Sequence, residues 1–248
     1  MKLVNPAKQL LKKGQVALGA GCGMGTPVTA EIIAISGYDW VLIDNQHGTW
    51  DRATTSLACM GVRAGGGVPV ARVPENDYYA IGRLLDEGVL GIIVPMVETR
   101  ADAEKVAFAS RFPPVGGRSI GFAGAASYGP DYMEKINDEL IVAIQLESKL
   151  AIANAEAIMS VDGIDACWLG PADLAASIGY ARNTPEHDAA VKAMIAACKK
   201  YGKAAGIAAG SIEQTKKWIA AGCTFISMGG DRGWVAAGAT ADLAAVRG

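Results

Sequence analysis

The sequence predicts an α/β fold, a closed (β/α)8 TIM barrel, on three observations. Short apolar runs rich in Val and Ile recur eight times, each followed by Gly, Pro or an acidic residue and then by a helical pattern. The runs do not alternate apolar with polar, as expected of strands buried on both faces of a parallel sheet. Eight such units fit a chain of 248 residues, an ordinary length for this barrel. A doubly wound open sheet is built from the same unit, and a count of strands does not separate the two. One domain over 1–248 is expected, because no linker-like stretch divides the chain.

In order, the runs are Val16-Ala17-Leu18-Gly19, Trp40-Val41-Leu42-Ile43, Val68-Pro69-Val70-Ala71 and Gly91-Ile92-Ile93-Val94, then Ile141-Val142-Ala143-Ile144, Ala166-Cys167-Trp168-Leu169, Ala205-Gly206-Ile207-Ala208 and Phe225-Ile226-Ser227-Met228. Between them Asn76-Asp77 opens a helix, with Asn76 as its cap, that carries Ile81, Leu84 and Leu85 and stops at Gly88. Thr99 opens the next, and helices are predicted over 148–160, 186–201, 211–221 and 231–246. The stretch 111–140 exceeds what a βα connection needs, and its Pro113-Pro114, Gly116-Gly117 and Gly121 mark it as a functional loop over one barrel end.

Composition excludes several functions. Lys and Arg number 23 against 25 Asp and Glu, a formal net charge of −2 with no basic block, so no nucleic-acid partner is expected. No run is long enough to span a membrane, and the first residues lack the apolar core of a signal peptide. The five cysteines, Cys22, Cys59, Cys167, Cys198 and Cys223, form no C-x-x-C pair and read as buried thiols in a reducing cytoplasm. Gly19 to Gly25 does not fit G-x-G-x-x-G, so a nicotinamide-dependent oxidoreductase is disfavoured. A Schiff base needs a lysine buried at a strand end, and Lys149 falls in the polar start of a helix.

In a parallel barrel the reacting groups sit just past the C-terminal ends of the strands. That rule selects Asp44-Asn45-Gln46-His47 after the second run, Arg72 after the third, Gln145-Leu146-Glu147 after the fifth and Gly170-Pro171-Ala172-Asp173 after the sixth. Glu147 and Asp173, with no clustered His or Cys, suit a hard cation such as Mg²⁺ or Mn²⁺. They would equally serve as acidic groups at two helix starts. The Gly170-Pro171 turn leaves backbone N–H groups free to hold a carboxylate. His47 has Asp44 three residues before it, a spacing that lets a carboxylate orient the imidazole. Arg72 reads either as an electrophile at a developing oxyanion or as a structural ion pair with Asp44 or Glu147. His187 reads as surface. Asp86 stands in the last turn of its helix, where the dipole disfavours it, so it is either exposed or serves a partner surface.

Taken together, Ile43-Asp44 through His47, Arg72 with Asn76-Asp77, Leu84 to Gly88, Val94-Pro95-Met96-Val97, Pro113-Pro114 with Gly117-Arg118-Ser119, Gln145-Leu146-Glu147 and Gly170 to Leu174 resemble the HpcH/HpaI family of metal-dependent, class II pyruvate aldolases. The resemblance runs in order over nearly the whole chain. It implies a barrel whose C-terminal helix packs on a neighbouring subunit, in a homohexamer built as a trimer of dimers. It implies a divalent ion (Mg²⁺, Mn²⁺ or Co²⁺) on Glu147 and Asp173, and a pyruvate moiety held by Gln145 and the backbone of Ala172 and Asp173. His47 with Asp44 would be the acid–base group, Arg72 would stabilise the enolate, and Asp86 would reach a neighbour's site. The implied reaction is reversible cleavage of a 4-hydroxy-2-oxo acid, such as 4-hydroxy-2-oxoheptanedioate or a 2-keto-3-deoxy sugar acid, into pyruvate and an aldehyde. Gln46 stands where many members have Glu, and Gly121 to Ala126 lacks the basic residues some members use for a distal carboxylate. A thioester lyase of the citrate lyase beta or malyl-CoA type and a non-catalytic sugar-acid-binding barrel are the rival readings.

Overall fold

The structure, a computed structural model, describes residues 3–121 and 125–248. In chain order its elements are α1 (Pro6–Lys12), β1 (Ala17–Cys22), α2 (Pro27–Ile35), β2 (Trp40–Asp44), α3 (Arg52–Ala64), β3 (Val68–Arg72), α4 (Tyr78–Asp86), β4 (Gly91–Val94), α5 (Arg100–Ser110), α6 (Tyr132–Glu139), β5 (Ile141–Ile144), α7 (Lys149–Ala153), α8 (Ala155–Met159), β6 (Ala166–Leu169), α9 (Pro171–Ile178), α10 (Pro185–Lys200), β7 (Ala204–Ala209), α11 (Ile212–Ala220), β8 (Phe225–Gly230) and α12 (Asp231–Arg247). The eight strands pair in sequence order, all parallel, and β8 closes on β1. All eight predicted runs are strands, and closure of the ring decides against the open sheet.

Side-chain chemistry sets the helix starts. Asp51 and Thr99 each form a reciprocal capping box, and Ser148, Thr184 and Ser211 accept from the first turns of α7, α10 and α11. Two helix expectations change. Asp77, not Asn76, caps α4, because its carboxylate reaches both the Tyr79 and Ala80 N–H groups. The predicted 148–160 helix divides at Asn154 into α7 and α8.

The barrel interior is packed tightly enough to dictate small residues. Trp40 stacks on Phe225 with ring centroids 4.3 Å apart, and its indole N–H donates to the Ala17 carbonyl at 3.1 Å. A Cβ on Gly19 would stand 2.2 Å from the Trp40 ring, so glycine there is a packing requirement. At the N-terminal end of the barrel, the Lys8 ammonium donates to the Leu140 carbonyl at 2.5 Å and pairs with Asp165 at 3.1 Å. Arg111 grips the same carboxylate at 3.1 Å, and the Val142 N–H donates to it at 2.8 Å. These contacts tie α1 to the segments that enter β5 and β6.

The described part of the 111–140 stretch first runs along α4 and α5 and then reaches the N-terminal end of the barrel, where Tyr128 donates to the Gly88 carbonyl at 2.7 Å. Gly117 N–H donates to Phe108, Tyr78 donates to the Gly117 carbonyl, and the buried Arg118 pairs with Asp86 at 2.9 Å. Residues 122–124 of that stretch lie outside the described residues. All five cysteines are buried and unbridged, and no helix among the described residues is long and apolar enough to cross a membrane.

Candidate active site at the C-terminal rim

Parallel pairing puts every strand's C-terminal end on one rim, so the residues that follow β2, β3, β5 and β6 face a common mouth. Asp44 and Arg72 end adjacent strands and are register partners. Arg72 Nε donates to Asp44 Oδ1 at 2.8 Å and Nη2 to Oδ2 at 2.5 Å, a bidentate fork. Burial pushes the Asp44 carboxyl up, but this fork and the N–H groups of His47 and Gln46 outweigh it, so the group lies below its ordinary value. Among the described residues only Asp44 accepts from the Arg72 guanidinium, which leaves Nη1 for a ligand. Arg72 also lies over the Trp168 ring, 5.6 Å from its centroid.

The expected Asp44–His47 contact runs through the main chain. Asp44 accepts from the His47 backbone N–H at 3.2 Å, while the His47 side chain stands exposed on the rim. Arg72 wins the carboxylate because its planar fork meets both oxygens at once. Gln46 donates its N–H to the same Asp44 oxygen at 3.1 Å, so Asp44 organises the turn as a whole.

Gln145, Glu147 and Asp173 meet on the other side of the mouth. Gln145 is fully buried, and its Nε2 donates to Glu147 Oε2 at 2.6 Å. Glu147 Oε1 accepts from the Met96 N–H at 3.0 Å. Met96 is held at φ 54°, a left-handed conformation that an unbranched side chain tolerates at some cost, and that backbone geometry accompanies the bond to Glu147. Burial raises the Glu147 carboxyl above its usual range; the Met96 bond opposes this, and Asp173, within hydrogen-bond reach, raises it further. A Cβ on Gly170 would fall 2.5 Å from Glu147 Oε2 and 2.9 Å from Gln145 Nε2, so only glycine leaves these groups their room. Ala172 and Asp173 are exposed in the first turn of α9, with Gly170 as the cap and Pro171 at the first position.

A cation fits this donor set. Two carboxylates crowd one another, the buried Gln145 Oε1 has no partner, and acceptor oxygens outnumber donors. No group of three or more His, Cys, Asp or Glu gathers among the described residues, so a cation on Glu147 and Asp173 would take its remaining ligands from water and substrate.

Three placements depart from or add to the sequence reading. Asp86 is neither exposed nor idle: Arg118 neutralises it at the end of α4, where the helix dipole alone would disfavour a carboxylate. His187 is buried, not on the surface, because α10 packs against α9 and its Nε2–H meets the Pro171 carbonyl at 3.1 Å. Trp168, whose buried Nε1 also lacks a partner, lies beside Arg72 at the mouth, yet in the sequence it is one residue of a continuous apolar run in which nothing marks it.

The family model described as HpcH/HpaI aldolase/citrate lyase matches residues 23–237. A 2-keto-3-deoxy-L-rhamnonate aldolase from Shigella sonnei (strain Ss046) is 38% identical over 235 residues, covering 92% of this chain and 88% of the relative. A 5-keto-4-deoxy-D-glucarate aldolase from Salmonella paratyphi C (strain RKS4594) is 32% identical over 234 residues, covering 92% and 91%. Among solved structures, an HpcH/HpaI aldolase/citrate lyase family protein from Burkholderia cenocepacia J2315 superposes with a TM-score of 0.93 at 31% identity, over 99% of this chain and 100% of the other.

Proposed function

Since the chain belongs to the HpcH/HpaI aldolase/citrate lyase family and is a carbon–carbon lyase, we propose that it cleaves a 2-keto-3-deoxy sugar acid reversibly into pyruvate and an aldehyde. The observation that carries this reading is the meeting of Glu147 and Asp173 around Gly170, with Arg72 and the unpaired Gln145 Oε1 beside them. Glu147 and Asp173 would hold a divalent ion, Mg²⁺, Mn²⁺ or Co²⁺. When bound, such an ion supplies Lewis-acid polarisation of the 2-oxo group.

The chain's own residues account for the remaining steps. The N–H groups at the start of α9, around Ala172 and Asp173, receive the substrate carboxylate. His47 takes the proton from the C4 hydroxyl, the C3–C4 bond breaks, and its electron pair forms the enolate of pyruvate. Arg72, fixed by Asp44, turns Nη1 to the enolate oxygen, where charge develops in the transition state. The enolate then takes a proton at C3 and leaves as pyruvate. In the synthetic direction His47 returns its proton to the new alkoxide.

Pyruvate release from 2-keto-3-deoxy sugar acids, assayed before and after chelation, tests the reading. Turnover that vanishes with chelator and returns with Mn²⁺ or Co²⁺ is expected. Full turnover in chelated protein would overturn it.

Assembly follows from α12. Every residue from Arg232 to Arg247 is exposed, including Val235, Leu243 and Val246, and Trp234, stacked on Tyr38 with ring centroids 5.8 Å apart, is still half-exposed, so most of the helix lies off its own barrel. We propose that α12 packs on a neighbouring copy in a homohexamer, and that the enzyme works in the cytoplasm. Light scattering is expected to give six copies for the full chain and fewer after truncation at Gly229; an unchanged mass would refute the role of α12.

A further inference from the structure

Two tryptophans stand in the barrel strands, Trp40 in β2 and Trp168 in β6, and their surroundings differ. Trp40 stacks on Phe225, and its indole N–H reaches the Ala17 carbonyl at 3.1 Å, so core packing accounts for it. Trp168 is as deeply buried, at 3% exposed, yet its indole N–H has no acceptor among the described residues. A buried donor left unmet lowers stability, so a phenyl or leucyl side chain would serve simple packing better.

What the Trp168 ring touches is Arg72. The guanidinium lies over it, 5.6 Å from the centroid, and the arginine side chain is itself only 11% exposed. Strands four apart face each other across a closed ring of eight, so β6 stands opposite β2, whose Asp44 forks the same guanidinium. Trp168 therefore reaches across the mouth, from the strand that leads into Gly170 and α9 to the cation held at the far wall. A bidentate fork fixes a guanidinium within the carboxylate plane and leaves it free to tilt out of that plane. An electron-rich ring laid against its face opposes the tilt and attracts the charge, most strongly where water is excluded, and indole is the strongest side chain for this purpose.

We propose that Trp168 is a positioning residue for Arg72, its ring bracing the guanidinium so that Nη1 meets the enolate oxygen. The inference rests on the aldolase reading and adds that β6 serves both halves of the site. Through α9 it presents Asp173 and the turn that receives the substrate carboxylate; through Trp168 it steadies the cation on the opposite side. Charge on the enolate oxygen develops only as the transition state is approached. A loosened Arg72 is therefore felt in kcat, while KM for the 2-oxo acid stays where it was.

The test is exchange of the pyruvate methyl protons in deuterated water, followed by proton NMR on the Mg²⁺-loaded enzyme, a reaction that needs the enolate and no aldehyde. Trp168→Leu is expected to slow saturated exchange by about tenfold and to leave KM for pyruvate within about twofold of the parent. Trp168→Phe, which keeps an aromatic face, is expected to recover part of the loss. In Arg72→Met the brace has nothing to act on, so adding Trp168→Leu to that variant is expected to slow it by less than about twofold. Tryptophan replaced throughout by fluorinated analogues gives a reading that does not depend on the leucine variant folding. Fluorine draws electrons from the ring face and hardly alters its shape, so the rate should fall with each added fluorine in the parent and hold steady in Trp168→Phe. Unchanged exchange in Trp168→Leu, an equal loss with and without Arg72, or a parent rate indifferent to fluorination would overturn the proposal while the aldolase reading stood. A parent that neither exchanged pyruvate protons nor released pyruvate from a 2-keto-3-deoxy sugar acid would overturn both.

Discussion

The two ends of the barrel both hold buried charge, and they treat it in opposite ways. At the N-terminal end Asp165 is met by Lys8, Arg111 and the Val142 N–H, so one acid is shared by two cations and an amide. At the C-terminal rim Glu147 faces a second carboxylate, and the amide oxygen beside it has no partner. The first cluster completes itself within the chain. The second is left incomplete within the chain: Glu147 accepts from Gln145 and the Met96 N–H, but no cation pairs with it. Buried charge thus marks a binding site where its neutralisation is missing, not merely where it is dense. The cavity of about 420 Å³ lined by Lys8, Lys12, Arg111 and Asp165 belongs to the self-completed end, although Arg111 Nη1 is itself unpaired.

The contrast can be broken first at the rim. Glu147→Gln keeps the shape and removes one charge, so metal affinity and turnover should fall by about 10³-fold or more, since an ion's charge stabilisation amounts to several kcal/mol. Calorimetric metal titration and a pyruvate assay measure this. Relief of the Asp173 repulsion should leave the metal-free variant no less stable. A variant that bound Mn²⁺ as tightly as the parent would remove Glu147 from the site.

Asp165→Asn is the converse experiment. It strands Lys8 and Arg111 and should lower stability by about 2–3 kcal/mol in urea unfolding, below the usual range for a broken buried pair because Asp165 is partly exposed. kcat should be unchanged. A loss of turnover without a loss of stability would dissolve the distinction between the ends.

The smallest effect concerns pH. Asp44 lies below its ordinary value of 3.8 in the folded protein, so its contribution to stability is fully present above the unfolded value and is lost as pH falls through the depressed one. Arg72→Met removes the fork. The stability gap between variant and parent should therefore be constant from neutral pH down to about pH 5 and should narrow below pH 4. A gap that widened toward acid would show that Asp44 is not held by Arg72.

Strand positions were legible because a parallel barrel writes each strand as an unbroken apolar run, and the rim residues followed from the strand ends. The partners at the rim were less so. Asp44 stands three residues from His47 and twenty-eight from Arg72, and sequence separation favours the nearer. Strand register puts Asp44 directly beside Arg72, and register is not written in a continuous run. Trp168 was hidden for the same reason. Burial of His187 depends on how α10 leans on α9, and the Asp86–Arg118 pair on a segment that folds back along α4. Neither has a local signal.

Asp231 has one more consequence. Its single carboxylate fastens the loop after β1 to the first turn of α12, so the helix proposed to dock on a neighbour and the glycine rim formed by β1 and β8 turn on the same pivot. Association of copies would then stiffen that rim from outside, and a dissociated copy would keep Glu147 and Asp173 in place while the rim slackened.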